Sequence, residues 1–213
     1  MQTKLASDTI EMICRTSPII TTPTLANAAD AAPLAQALTR GRLPVIQISI
    51  RARNAAAVIR EMAQVPDAIV GAGMILSPDD VRRARDAGAK FCSTPGITDS
   101  LLRYFDGIEL PLLPGVATPT EAMHLLSRGY TTLNYFPGGS MGTVETLRAM
   151  RQPLPQLRLS VAGDIALEAA ADYLALPNVL SVASDCVVPA AMIEAHDWEA
   201  ITTNARGFSQ TKP

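Results

Sequence analysis

Short runs of β-branched residues alternate with Ala- and Leu-rich stretches at a spacing of roughly 20–25 residues, a repeat that restricts the chain to a βαβ architecture. The spacing predicts strands at Pro18–Thr22, Val45–Arg51, Ala68–Gly71, Phe91–Thr94, Leu110–Pro114, Thr132–Phe136, Arg158–Ala162 and Val179–Ser184. Helices are predicted between them, at Asn27–Arg40, Asn54–Gln64, Pro78–Ala87, Asp99–Phe105, Pro119–Arg128, Val144–Met150 and Leu167–Leu174. One more stands at each end, about Leu5–Cys14 and Asp197–Arg206. Two helix starts carry capping chemistry. Ser77-Pro78-Asp79-Asp80 supplies a hydroxyl cap, a proline suited to the first helical position and acids in the first turn. Thr118-Pro119-Thr120-Glu121 repeats the device, with Glu121 placed for a capping box. Units of this kind close most readily into a (β/α)8 TIM barrel with an extra N-terminal helix, and an open doubly wound sheet is the other arrangement the pattern permits. No linker or low-complexity segment divides the chain, so residues 1–213 are expected to form a single domain.

Composition narrows the function. Hydrophobic residues make up 48% of the chain but aromatics only 4%, so the core must be Ala, Leu, Ile and Val, as suits a parallel sheet covered on both faces. A net charge of −2, with no basic stripe, speaks against nucleic acid as a partner. There is no apolar signal core and no run of membrane-spanning length, so no membrane partner is expected and the expected location is cytoplasmic. Cys14, Cys92 and Cys186 are odd in number and far apart, which fits a reducing compartment. No Cys/His spacing suits zinc, and no cofactor is implied.

In a barrel of this type the functional groups lie at the carboxyl ends of the strands. Along Ile46-Gln47-Ile48-Ser49-Ile50-Arg51 the isoleucines share one face and Gln47, Ser49 and Arg51 the other. The apolar face is expected under the helices, which turns the polar row into the barrel, where desolvation must be offset by partners. The alternative is an edge strand with its polar side in water. Asn134 shares parity with Thr132 and Phe136; if these point inward, Asn134 lies mid-barrel near the level of Gln47 and Arg51, and Tyr135 faces the helices. Amine chemistry has few candidates. The only lysines are Lys4, Lys90 and Lys212, and Lys90 begins a strand, at the end of the barrel away from the pocket. Cys92 and Cys186 read as small buried hydrophobes, and His124 and His196, neither on a strand end, are given no catalytic part.

These segments, with Ile69-Val70-Gly71-Ala72-Gly73, Ser93-Thr94-Pro95-Gly96, Pro111-Leu112-Leu113-Pro114-Gly115 and Tyr135-Phe136-Pro137, resemble the KDPG/KHG aldolase family, in register from about Leu5 to Pro189. The resemblance implies an aldehyde-lyase barrel, a homotrimer, and class I chemistry in which a lysine forms a Schiff base with pyruvate. It also places the family's Schiff-base lysine on Asn134, its glutamate acid/base on Gln47 and a pyruvate-seating threonine on Met74, while the carboxylate-binding arginine is kept as Arg51. The phosphate-cradling glycines fall on Ala162-Gly163-Asp164 and Ala183-Ser184-Asp185, so that Asp164 replaces a glycine. An asparagine amide nitrogen is delocalised and not nucleophilic, and glutamine cannot relay protons. Two carboxylates near a phosphate dianion repel it.

The expectation is therefore a pocket for a small oxoacid or carboxylate, built from Arg51, Ser49, Gln47, Asn134, Met74, Pro95 and Gly163, without class I aldolase activity. Two rivals stay open. One is a lyase of altered mechanism, with Asp164 and Asp185 as candidate ligands for a metal ion or an amine. The other is a non-catalytic structural trimer. The plainer roles for the aspartates are capping, Asp164 for the helix near Leu167 and Asp185 for the turn before Pro189.

Overall fold

A computed structural model describes residues 2–210 and gathers all strands into one parallel sheet. They are β1 (Ile19–Thr21), β2 (Val45–Ser49), β3 (Ile69–Gly73), β4 (Phe91–Ser93), β5 (Leu112–Leu113), β6 (Gly115–Val116), β7 (Thr132–Tyr135), β8 (Arg158–Ala162) and β9 (Val179–Ser184). Their order is β5-β4-β3-β2-β1-β9-β8-β7-β6. β5 pairs with β4 and β6 with β7, yet only Pro114 separates β5 from β6. The two ends of the sheet are thus one strand broken by a residue with no N–H to give. The ring closes, and the open-sheet alternative is set aside. The strand predicted at Leu110–Pro114 is corrected accordingly: it starts at Leu112 and runs past the proline to reach β7.

The helices are α1 (Gln2–Thr16), α2 (Ala31–Arg40), α3 (Ala55–Met62), α4 (Pro78–Asp86), α5 (Asp99–Phe105), α6 (Pro119–Ser127), α7 (Gly138–Met141), α8 (Val144–Arg151), α9 (Leu167–Leu174), α10 (Ala190–Glu194) and α11 (Trp198–Ser209). The capping box expected at Thr118 forms, and the Ser77 cap also closes into one, with Asp80 answering the serine. Ser77 Oγ accepts from Asp80 N at 3.3 Å and the Asp80 carboxylate accepts from Ser77 N at 3.1 Å. Thr118 and Glu121 exchange the same pair of bonds at 3.3 and 2.9 Å. Ahead of α2, Asn27 caps a 3-10 turn at Ala28–Asp30, so the α-helix begins four residues later than the sequence suggests. The short helices α7 and α10 lack enough turns to show a period. None of the described helices is long and apolar enough to cross a membrane.

Apolar packing falls into two layers. Outside the sheet, Ile46, Ile48, Leu133, Tyr135, Leu159 and Val161 join the buried faces of the helices. Inside it, Ile20, Val45, Phe91, Leu113 and Leu180 meet Ile10, Ile13 and Cys14 of α1. Val45 and Phe91 begin their strands, so α1 plugs the amino-terminal end of the barrel. Gly71 faces the Phe91 ring, which occupies the space a side chain would need. The lower barrel is thereby filled, leaving polar side chains for the upper end.

Candidate functional site

At the carboxyl ends of the strands lies a cavity of about 540 Å³. Gln47 and Ser49 of β2, Ser93 and Thr94 at the end of β4, and Asn134 of β7 line it, while Ile46 and Ile48 face the helices. Strand alternation thus turns the polar side of β2 inward, and the edge-strand alternative does not apply. Ser93 Oγ donates to Gln47 Oε1 at 2.7 Å. Gly73 makes room for that glutamine, because a Cβ there would stand 2.5 Å from its Nε2. Asn134 is buried, 6% exposed, and its Nδ2 donates to the Thr94 carbonyl at 2.9 Å. A backbone carbonyl only accepts, so the nitrogen end of this amide is committed and the oxygen end is left free. Thr94 is fixed in turn by accepting from Gly115 N at 2.9 Å through its hydroxyl.

Met74, Pro95, Phe136 and Gly163 also line the cavity. Met74 has the left-handed φ of 58°, a local strain at the cavity wall. Gly163 and Asp164 are consecutively left-handed, at φ 101° and 49°, and Asp164, Asp185 and Cys186 are exposed lining residues. The capping roles expected for the aspartates are not found. The residue before α9, Ala166, has no side chain that can cap, and among the described residues Asp164, in the left-handed turn two residues earlier, makes no bond to the helix start. At Asp185 it is the backbone carbonyl that closes the turn, accepting from Val188 N at 2.9 Å, and the carboxylate faces the Cys186 thiol at 3.7 Å. Cys186 is exposed rather than buried, whereas burial pushes the Cys92 thiol up to about 12 and leaves it inert at neutral pH.

Arg51 is not among the residues that line the cavity. It is ion-paired with Asp80, a buried carboxylate that also accepts from the backbone of Leu76 and Ser77 and lies 3.6 Å from Arg83. Sequence parity extended the inward row one residue pair too far, since β2 ends at Ser49. Lys90 sits at the start of β4, where its N–H bonds to the Val70 carbonyl, and Lys212 lies outside the described residues. His124 bonds to Asp99 at 3.0 Å and His196 to Asp30 at 3.1 Å, both away from the cavity. Among the described residues no group of three or more His, Cys, Asp or Glu side chains is placed to hold a metal ion. Ser93 and Thr94, which hold the two central amides, were missed as functional partners; hydroxyls ending a strand before Pro95 were the available signal.

Among the described residues the cavity wall contains no lysine, arginine or histidine. Its floor offers amides and hydroxyls that can orient a carbonyl or a hydroxyl group, and no amine.

The fold and its cavity define a class first: a (β/α)8 barrel with a small-molecule site at the carboxyl ends of its strands. Residues 10–204 match the family model described as KDPG and KHG aldolase, and the chain belongs to that family. It is 36% identical over 198 residues to the 2-dehydro-3-deoxy-phosphogluconate aldolase of Pseudomonas aeruginosa, covering 92% of this chain and 90% of that one. The crystal structure of 2-keto-3-deoxy-6-phospho-gluconate aldolase from Zymomonas mobilis superposes with a TM-score of 0.89 at 33% identity, covering 95% and 97% of the two chains. KDPG aldolase from Legionella pneumophila, with pyruvate captured at low pH as a covalent carbinolamine intermediate, gives 0.87 at 32% identity, covering 94% and 98%.

Proposed function

We propose that this chain is an aldolase-family barrel that binds a small, non-phosphorylated 2-oxo acid or related carboxylate without forming a Schiff base to it. The observation that carries this reading is Asn134, buried on the cavity floor with its amide nitrogen committed to Thr94, at the position where the resemblance puts the family's lysine. The Legionella relative captures pyruvate as a carbinolamine, a species that needs an amine lone pair. The Asn134 nitrogen has its lone pair delocalised and offers none. Gln47 can fill the space of a glutamate and accept from Ser93, but it carries no proton to relay. At the mouth, the exposed carboxylates of Asp164 and Asp185 oppose a phosphate group, a repulsion that solvent and salt screen.

Since the cavity wall itself holds no cation among the described residues, the cation for the ligand's carboxylate would be Arg51, which stands outside the wall and would have to leave Asp80 and swing in to reach the ligand. That exchange costs affinity, so the expected ligands bind weakly; a homotrimer is proposed on the family resemblance alone. Thermal unfolding with increasing pyruvate tests the reading. A ligand at a hundredfold its Kd stabilises by about 2.7 kcal/mol, and the rise in Tm is expected to vanish in Arg51→Ala. No shift with pyruvate or with 2-oxoglutarate would leave a structural barrel with a vestigial pocket.

A further inference from the structure

At the opposite end of the barrel, the last turn of α8, the start of β8 and the start of β9 enclose a second cavity of about 420 Å³. Arg148, Arg151 and Arg158 line it, together with Gln152, Pro155 and Asn178. Among the described residues none of the three has a carboxylate within 4.0 Å, a state they share with Arg42, Arg53, Arg60, Arg103 and Arg206; what sets them apart is that they line one hollow together. Arg158 is held in place by donating from one guanidinium nitrogen to the carbonyls of Pro155 and Leu157, at 2.9 and 3.0 Å. Its remaining N–H groups have no partner among the described residues.

Asn178 adds an independent sign. It is 1% exposed, its Nδ2 donates to the Leu147 carbonyl at 3.1 Å, and its Oδ1 has no partner. A buried polar atom left unmet costs free energy unless something supplies the missing bond. Arg148 and Arg151 are exposed and Arg158 half-buried, so their charges are hydrated in the empty hollow, and together they make it a positively charged one in a chain of net charge −2. Guanidinium forks bind phosphoryl oxygens in pairs; Asn178 Oδ1, buried beneath the hollow, would meet a ligand only after the side chain turns outward.

We propose that this face carries a second site, separate from the cavity at the carboxyl ends, which binds a small polyanion bearing a pyrophosphoryl group through Arg148, Arg151 and Arg158. The two sites share β8 but lie at its opposite ends, roughly 13 Å apart for a strand of this length. The proposal is independent of what the upper cavity binds.

Titration calorimetry with inorganic pyrophosphate at low ionic strength tests it. The expected result is one saturable site per chain that weakens as salt is raised. Arg148→Ala with Arg151→Ala is expected to weaken binding at least tenfold, with circular dichroism unchanged, while Arg51→Ala leaves it as in the wild type. Absence of saturable binding, or binding untouched by the double substitution, overturns the site and leaves these arginines as counter-charges for the carboxyl end of α8. Binding lost in Arg51→Ala instead would place the anion in the upper cavity and equally overturn the proposal.

Discussion

Glu121 shows how one side chain ties a helix end to pH. Its carboxylate lies below the usual carboxylate range, chiefly because it accepts from the backbone N–H of Ala117, with help from Thr118. A depressed pKa stabilises the folded state above the ordinary value of 4.5, and that contribution is lost as the pH falls through the lower folded value. Glu121→Gln keeps an acceptor for the capping box and removes the titration. Thermal unfolding followed downward through the acid range is therefore expected to show a shallower loss of Tm in the variant than in the wild type. Residue-scale detail was legible in the sequence where it followed from alternation or capping, as at Gln47, Ser49, Ser77 and Thr118. It was not legible where a long-range partner decides: nothing near Arg51 in sequence announces Asp80, and nothing near Asn134 announces the Thr94 carbonyl.

At the scale of elements, β3 and β4 act together to position the site. β3 faces inward with Gly71 and Gly73, and those two absences of side chain admit the Phe91 ring below and Gln47 above. Gly73→Ala would set a methyl 2.5 Å from Gln47 Nε2, forcing the glutamine off Ser93 or the strands apart. Overpacking of this kind costs about 1–3 kcal/mol, and denaturant unfolding is expected to show a loss in that range together with weaker oxoacid binding. Most elements could be read from hydrophobic period and cap residues. The exceptions have physical causes: Pro114 splits a strand that looked continuous, and Asp164, which looked like a helix cap, lies in a left-handed turn with Gly163.

For the whole molecule, α1 closes the ring that the strands leave open at its amino-terminal end. Ile10 is fully buried within the inner layer, and Ile10→Ala is expected to cost about 2–5 kcal/mol, read as a shift in the denaturation midpoint with the slope preserved. The barrel as a whole was legible because the βαβ repeat and the ordered family segments agree. The chemistry was legible only as a loss, through Asn134 and Gln47, since residue identity reveals what a pocket lacks more readily than what it binds. The most direct measurement is the intact mass of the protein after incubation with pyruvate and borohydride, with Asn134→Lys plus Gln47→Glu as the reference for a restored amine. The account predicts no added mass on the wild-type chain; one stoichiometric pyruvyl adduct on it would contradict the account, and an adduct mapped to Lys90 would show that the amine had moved.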